Sequence, residues 1–327
     1  MKKIIVFGAT GSTGVYLIDY LVSKLEKEYE IIAVGRRSTP FFQRYGIKYI
    51  QVDVSVKKDF DKLPTRDIFA VYMTSAQLPT HDSFVSPYKF LDTNVYGCLN
   101  VLEYCRTSHV DRIIYTQTMS NIANSFGVEN VIKPDMLKNF PYKGDHAMYV
   151  ITKNMGEELL RYYHEEFGIK KFIFHIPTIY QYRPDRYWYV DGKKRYRTFH
   201  HLIDLACEGK SLEMWGDPSS YKDIVYVKDY CQLLWRALLT DRNSGFYNVG
   251  TGVPTTLKEM LEGIVKVFSP QNQQSVIIAY PEKPNTPSYV IDVQNAIDEL
   301  GYHPEYSYLD LLRDFKKEMG LNRFANV

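Results

Sequence analysis

The chain has 327 residues and a nearly balanced charge, since 40 Lys and Arg stand against 38 Asp and Glu and the net charge at pH 7 is +2. This balance argues against nucleic acid and anionic membrane surfaces as partners. The four cysteines and eight histidines show no CxxC pair and no metal-ligand spacing, so we expect a reduced interior without a metal site. The sequence shows no leader peptide and no apolar run of about twenty residues, which favours a cytoplasmic protein that does not span a membrane.

The first predicted elements are a strand, a tight turn and a helix within Lys3–Leu25. The apolar run at Ile4–Phe7 lacks alternation, as is typical of a strand that is buried on both faces. Three glycines follow in the turn: Gly8 can form the turn, Gly11 lets a phosphate approach the backbone, and Gly14 lets the helix pack closely on the strand. This strand, turn and helix predict a site that binds the pyrophosphate of a dinucleotide.

Apolar runs and helical patterns then alternate along the chain. The further predicted strands are Ile31–Gly35, Ile47–Val52, Ile68–Ala76, Arg112–Thr118 and Lys171–Ile176. The two long predicted helices run from Pro87, with Ser86 as the cap, to Arg106 and from Asp145 to Phe167. This order predicts an α/β fold with a Rossmann-type doubly wound parallel sheet, in which ligands bind at the carboxyl ends of the strands.

The alternation breaks after Ile176, which predicts a second, smaller unit. We expect a dinucleotide-binding core in residues 1–176, to which residues 223–250 return. Residues 177–222 and 251–327 are expected to form a smaller substrate-binding lobe that covers the reactive end of the cofactor.

Tyr149 and Lys153 are four residues apart on the second long predicted helix and therefore share one helical face. A neighbouring ammonium and an oxidised nicotinamide would both favour the phenolate, so we expect the pKa of Tyr149 to be lowered. A hydroxyl at the end of the Arg112–Thr118 strand could hold the substrate oxygen. Thr118 is the leading candidate, and Thr116 and Ser120 are the alternatives.

The chain resembles the extended short-chain dehydrogenase/reductases, in their branch of nucleotide-sugar epimerases and dehydratases. The resemblance rests on GATGSTG, Asp53, DTNVYGCLNVLE, Thr118, Tyr149 with Lys153, WGDPSSYKDIVYVKDY and GFYNVGTG. It implies that the catalytic group is Thr118, Tyr149 and Lys153. The complete set of expected cofactor-binding residues is Gly8, Thr10, Gly11, Ser12, Thr13, Gly14, Arg36, Arg37, Asp53, Val54, Ala76, Tyr149, Lys153 and Pro177. The resemblance also implies a homodimer formed through the two long helices. Asn94 matches an asparagine of the family pattern, and we expect its role to be mainly structural.

Two arginines favour NADP as the cofactor. The second strand ends in Gly35, Arg36 and Arg37, where an acidic residue would bind the ribose of NAD. Two guanidinium groups suit a 2′-phosphate. The alternative is NAD, with the two arginines solvated and stacked on the adenine.

Two further departures from the family pattern narrow the expected reaction and substrate. Family dehydratases carry Asp and Glu where this chain has Met119 and Ser120, and neither replacement is a carboxyl acid or base, which argues against dehydration. Lys222 and Thr178 stand where the family usually has Arg and Asn to hold a nucleotide diphosphate. Both are expected to contact substrate, with weaker support than the fold.

A basic and aromatic segment could compensate for those losses. Arg183 is its leading substrate-binding candidate, and its other members are Tyr182, Arg186, Tyr187, Trp188, Tyr189, Lys193, Lys194, Arg195 and Arg197. An exposed mobile loop is the alternative interpretation of this segment.

The leading functional hypothesis is therefore an NAD(P)-dependent nucleotide-sugar epimerase that acts by transient oxidation at C4. The alternatives are an NADPH-dependent ketoreductase or dehydrogenase and a binding protein that senses the cofactor without turnover.

Overall fold

The computed structural model describes residues 1–25, 28–321 and 323–327. Its strands, in chain order, are β1 Lys2–Phe7, β2 Tyr29–Gly35, β3 Lys48–Gln51, β4 Ile68–Met73, β5 Arg112–Thr118, β6 Val131–Ile132, β7 Lys170–Ile176, β8 Ile179–Tyr180, β9 Tyr187–Val190, β10 Lys193–Tyr196, β11 Leu212–Trp215, β12 Tyr221–Asp223, β13 Val225–Tyr226, β14 Ser244–Asn248, β15 Pro254–Thr256, β16 Ile277–Tyr280 and β17 Val290–Ile291. Its α-helices are α1 Ser12–Lys24, α2 Pro87–Phe90, α3 Gly97–Thr107, α4 His146–Phe167, α5 Thr198–Cys207, α6 Val227–Leu239, α7 Leu257–Phe268, α8 Gln294–Leu300 and α9 Tyr308–Gly320.

Seven strands form the central sheet, in the order β3-β2-β1-β4-β5-β7-β14. Every neighbouring pair in this sheet is parallel. The strand order reverses between β1 and β4, which is where doubly wound sheets open a crevice for ligands. The predicted Rossmann-type sheet is confirmed.

The two faces of the sheet support separate layers of the core. Along β1, Ile4 and Val6 pack in the cluster that contains α1 and α6, whereas Ile5 and Phe7 pack in the cluster that contains α3 and α4. Both faces are buried, and this explains why the strand shows no alternation of polar and apolar residues.

The first long predicted helix is interrupted in the structure. Residues Leu91–Tyr96 form a π-helical segment between α2 and α3, and DTNV lies inside it. Asn94 in this segment is buried and bonds to groups outside its own helix, as described below. Ser86 occupies the N-cap position of α2 but makes no capping hydrogen bond with its side chain.

The later part of the chain both extends the central sheet and builds small sheets beyond it. Strand β14 pairs with β7, and α6 packs against α1, so residues from the 223–250 range lie on the main sheet. Residues on either side form two-stranded sheets, including β9 with β10 and β11 with β16.

Among the described residues, no helix has the length and apolar character needed to cross a membrane.

Candidate active site

A cleft of about 710 Å³ lies at the carboxyl ends of the central strands. Most of the residues expected to bind cofactor or substrate line it together: Gly8, Thr10, Gly11, Ser12, Thr13, Gly14, Arg36, Arg37, Asp53, Val54, Ala76, Thr118, Tyr149, Pro177, Thr178 and Arg183. Lys153 is buried behind this surface, and Lys222 lies outside the lining. The topology of the sheet therefore gathers segments that are far apart in sequence.

The turn after β1 has the backbone geometry that a phosphate site requires. Gly8 has a φ of +85°, which favours glycine. A Cβ atom on Gly14 would lie 2.2 Å from the carbonyl oxygen of Gly8, so the helix approaches the turn too closely for any side chain. Helix α1 begins with no side-chain cap, so its first N–H groups and its dipole face the cleft. The site fits the pyrophosphate of a dinucleotide.

A buried hydroxyl beyond β4 points to the same kind of ligand. The Oγ atom of Ser75 has no hydrogen-bond partner among the described residues, and Ser75 lines the cleft. Buried polar groups are rarely left unpaired, so a bound molecule with a polar group would satisfy it. Asp53 lies nearby in the lining, with its Oδ1 atom already accepting hydrogen bonds from the N–H and hydroxyl of Ser55 at 3.0 and 2.7 Å.

The two arginines after β2 are held by their backbones, while their guanidinium groups are exposed. The carbonyl of Arg36 accepts a hydrogen bond from Gln51 at 3.0 Å, and the carbonyl of Arg37 accepts one from the hydroxyl of Tyr49. Neither guanidinium makes a hydrogen bond or an ion pair with a described residue. Both positive charges are therefore available to a ligand in the cleft.

Thr118 and Tyr149 meet at the carboxyl end of β5. Both line the cleft, the hydroxyl of Thr118 lies close enough to Tyr149 to lower its pKa, and Tyr149 is only 8% exposed. The Oγ1 atom of Thr118 also accepts a hydrogen bond from the N–H of Ser120 at 3.1 Å, so it caps the turn as well as facing the cleft. The alternatives, Thr116 and Ser120, line the cleft too, but of the three only Thr118 acts on the pKa of Tyr149.

The pKa values in the ligand-free site differ from the expectation. Burial raises the pKa of Tyr149 to about 12, and the nearby hydroxyl of Thr118 opposes this only in part. Burial also lowers the pKa of Lys153 to about 7, and its Nζ atom lies 3.9 Å from the centre of the Tyr115 ring. The expected lowering of the Tyr149 pKa is therefore not found in the protein alone, because desolvation by burial is the larger effect.

A buried amide that the sequence did not indicate joins the strand to the helix. The side chain of Gln117 accepts a hydrogen bond from the N–H of Thr118 at 2.8 Å and donates to the carboxylate of Glu157 at 2.6 Å and to the carbonyl of Lys153 at 3.3 Å. Gln117 therefore fixes the strand end that carries Thr118 against the helix that carries Tyr149 and Lys153. Nothing local marks it, because its partner Glu157 is 40 residues away.

Asn94 links a wall of the cleft to the same helix. Its side chain accepts a hydrogen bond from the N–H of Gln77 at 2.8 Å and donates to the carbonyl of Gln77 at 3.2 Å and to the hydroxyl of Thr152 at 3.1 Å. Gln77 follows Ala76 in the lining. These contacts agree with the structural role that was expected for Asn94.

The residues expected to bind substrate divide into two groups. Thr178 and Arg183 line the cleft, whereas Lys222 lies on β12 with its backbone bridged to Tyr289, which does line it. Burial lowers the pKa of Lys222. In the basic segment, Trp188 and Arg197 join Arg183 in the lining; most of the remaining cations stand on the exposed hairpin of β9 and β10.

His175 is a buried core residue whose two ring nitrogens both have partners. Its ring nitrogens contact Asn248, the carbonyl of Thr118 and Asn121 at 3.1, 3.1 and 2.6 Å. Burial lowers the pKa of His175 to about 4, so the ring is neutral near pH 7. Among the described residues, no group of three or more His, Cys, Asp or Glu side chains is placed to hold a metal ion.

Known proteins resemble this chain over nearly its whole length. A Methanocaldococcus jannaschii protein that bears the provisional name UDP-glucose 4-epimerase is 25% identical over 96% of both chains. The dTDP-4-dehydro-6-deoxyglucose reductase of Escherichia coli is 21% identical over 92% of both. The UDP-glucuronic acid 4-epimerase of Bacillus cereus, solved in complex with NAD, superimposes with a TM-score of 0.72 at 22% identity and covers 97% of this chain and 99% of its own. That structural likeness shows a shared fold.

A family model settles the wider relationship. The model of the NAD dependent epimerase/dehydratase family matches residues 4–250, which is more than half of the chain and includes the glycine turn, Thr118, Tyr149 and Lys153. The chain therefore belongs to the NAD dependent epimerase/dehydratase family.

Proposed function

We propose that the protein is a nucleotide-sugar 4-epimerase that works with a bound nicotinamide dinucleotide. The observation that carries this proposal is that Thr118 and Tyr149 line the same cleft as a glycine turn shaped for a pyrophosphate. The relatives from Methanocaldococcus jannaschii and Bacillus cereus carry the names of UDP-sugar 4-epimerases, which supports a nucleotide sugar as the substrate.

Tyr149 and Thr118 handle the proton of the reacting hydroxyl group. Thr118 holds the sugar oxygen, and Tyr149 accepts its proton and later returns it. An oxidised nicotinamide, when bound, would supply the acceptor for the hydride of the sugar carbon and would return that hydride to the other face of the ketone. Its positive charge would favour the phenolate and offset the burial that keeps the pKa of Tyr149 high in the protein alone. Lys153 would hold the ribose next to the nicotinamide.

The residues after Thr118 favour epimerisation over elimination of water. Met119 is buried and apolar, and Ser120 directs its N–H toward Thr118. Neither supplies the carboxyl acid or base that dehydration requires. Epimerisation and reduction require only the transfer of the oxygen-bound proton and of a hydride at the same carbon. Thr118 and Tyr149 can handle the proton, and a bound nicotinamide dinucleotide would handle the hydride.

We further infer that NADP is the preferred dinucleotide, with NAD as the alternative. The support is the pair of unpartnered guanidinium groups on Arg36 and Arg37 at the edge of the cleft, which suit a 2′-phosphate. Titration calorimetry should give the lower dissociation constant for NADP. Equal constants for the two dinucleotides would contradict this preference.

The second candidate is an NADPH-dependent reductase that uses the same residues. Arg36 and Arg37 favour it, because reductases consume NADPH, and the Escherichia coli relative carries the name of a nucleotide-sugar reductase. The third candidate is a cofactor-sensing binding protein. Such a protein needs no group that accepts a proton, so it would not explain why Thr118 and Tyr149 line the cleft together.

The remaining parts of the proposal concern assembly and substrate contacts. We place the substrate-binding lobe in residues 177–222 and 251–327, with Thr178 and Arg183 in contact with the nucleotide and Lys222 in support.

Large exposed side chains on the faces around α3 and α4 suit a homodimer; they are Tyr96, Met155, Tyr162 and Phe167. The buried unpaired thiols of Cys98, Cys105 and Cys231 fit the cytoplasm.

A panel of UDP-, dTDP- and GDP-sugars, followed by NMR, tests the proposed function. The purified protein is incubated with each sugar and with dinucleotide at no more than the protein concentration. Multiple turnovers to a 4-epimer support the epimerase. Conversion only with stoichiometric NADPH would replace it with the reductase, and binding without conversion by either route would refute both.

A further inference from the structure

Two polar side chains in the cleft have hydrogen-bonding atoms that the protein leaves unused. The hydroxyl of Tyr230 and the Oε1 atom of Gln181 are buried and have no partner among the described residues. Tyr230 is fully buried and Gln181 is 4% exposed, yet both line the cleft. Leaving such groups unpaired costs free energy, so each is expected to have a partner when the protein functions.

The two residues belong to the same wall of the cleft. Gln181 follows directly after β8, and Tyr230 lies on α6, which begins directly after β13. Strands β8 and β13 are paired in parallel, with Tyr180 opposite Tyr226. The amide nitrogen of Gln181 donates to the hydroxyl of Ser12 at 3.1 Å, so its oxygen lies next to the first residue of α1 and the expected pyrophosphate.

This wall of the cleft belongs to the layer on the opposite face of the sheet from Tyr149. Tyr230 packs in the layer that contains α1 and α6, whereas α4, which carries Tyr149, covers the opposite face. Both phenols nevertheless belong to residues that line the same cleft. The space between them connects the phosphate-binding turn with the reacting group, which is where the nicotinamide half of a dinucleotide would have to lie.

The chemistry of the unused atoms matches a carboxamide. Tyr230 offers an O–H donor and Gln181 offers a carbonyl acceptor, which are the complements of a C=O and an NH₂ group. We propose that Tyr230 and Gln181 together bind the carboxamide of the nicotinamide ring and so fix which face of the ring meets Tyr149. This rests on the proposed function, since it assumes that a nicotinamide dinucleotide is bound.

The test compares each whole dinucleotide with its fragment that lacks the nicotinamide. Calorimetry on the full chain gives dissociation constants for NADP and 2′-phospho-ADP-ribose, and for NAD and ADP-ribose in parallel. Tyr230→Phe removes only the unused hydroxyl, so binding of the dinucleotide should weaken by about tenfold and binding of the fragment by less than about twofold. Gln181→Leu should show the same selective loss.

Thermal unfolding without ligand provides the second measurement. Tyr230→Phe should leave the Tm unchanged or raised, because the lost hydroxyl has no partner in the described part of the chain. Tyr302→Phe is the matched control: Tyr302 is also buried, but its hydroxyl donates to the carbonyl of Gly250 at 2.7 Å, so this variant should lower the Tm and preserve the ratio of dinucleotide to fragment binding.

Two results would overturn the inference. One is an equal loss of dinucleotide and fragment binding in Tyr230→Phe, which would indicate a structural role. The other is unchanged binding of both. If the wild-type protein binds the fragments but gains nothing from the nicotinamide, the carboxamide contact is refuted. If it binds none of the four ligands, the proposed function itself fails.

Discussion

At the residue scale, burial sets the chemical state of the reacting groups before any ligand arrives. Tyr149 has a pKa raised to about 12 and Lys153 a pKa lowered to about 7, and desolvation is the largest cause of both shifts. Burial therefore favours the uncharged form of both side chains. A cation that enters with the cofactor would reverse this balance for Tyr149, which ties proton transfer to cofactor binding.

Tyr149→Phe tests the role of that phenol. The variant keeps the ring that packs with Phe90, Phe140 and Val150 but loses the group that exchanges the proton, so the kcat for sugar conversion should fall by about 10²–10⁴-fold. Binding of dinucleotide, measured by calorimetry, should change little. A variant that retains more than about a tenth of the wild-type kcat would contradict the assignment.

At the scale of single elements, the π-helical segment Leu91–Tyr96 places one side chain where a regular helix would not. Such segments often occur at functional sites. Here the side chain of Asn94 pairs with both polar groups of the Gln77 peptide and with Thr152, so the wall of the cleft and helix α4 keep a fixed distance.

Asn94→Ala should destabilise the protein by about 1–3 kcal/mol, because it leaves the partly buried backbone N–H and C=O of Gln77 unpaired. Asn100→Ala is the matched control from the next helical segment, since among the described residues the side chain of Asn100 bonds only to the carbonyl of Val54, at 2.9 Å. Urea unfolding measures both variants. A loss for Asn94→Ala no greater than that for Asn100→Ala would show that the link is not important for stability.

The sequence predicts those features that depend on local spacing. The glycine turn, the central strands and the shared face of Tyr149 and Lys153 all follow from residues within one or two turns of each other. The bonds of Gln117 to Glu157 and of Asn94 to Gln77 could not be predicted, because each joins segments that meet only in the folded sheet. The pKa of Tyr149 was missed for the same reason, since burial is a tertiary property.

At the scale of the whole molecule, α6 contacts the C-terminal residues around Glu305 through the buried carboxyl group of Asp229. The Oδ1 atom of Asp229 on α6 accepts a hydrogen bond from the N–H of Glu305 at 2.7 Å, while its Oδ2 atom has no partner among the described residues. Burial is the main cause that raises the pKa of Asp229 to about 7; the backbone N–H groups of Glu305 and Tyr306 oppose the rise, and the charge of Glu305 adds to it.

This carboxyl group should make stability depend on pH. Because its folded pKa lies above the ordinary value of 3.8, the native state binds the extra proton between about pH 4 and about pH 7. Its contribution is therefore complete below that range and is lost as the pH rises through about 7. Asp229→Asn should flatten the fall in the free energy of unfolding between about pH 4.5 and about pH 7.5, as measured by urea titration. An unchanged slope would exclude Asp229 as the source.

The most direct measurement of the central claim is the fate of the carbon-bound hydrogen when the protein converts a nucleotide sugar in D₂O. If Tyr149 exchanges only the oxygen-bound proton, NMR should show a 4-epimer whose inverted carbon keeps its original hydrogen, with dinucleotide present only at the protein concentration. Deuterium at the inverted carbon, or no conversion of any nucleotide sugar under these conditions, would contradict the epimerase mechanism.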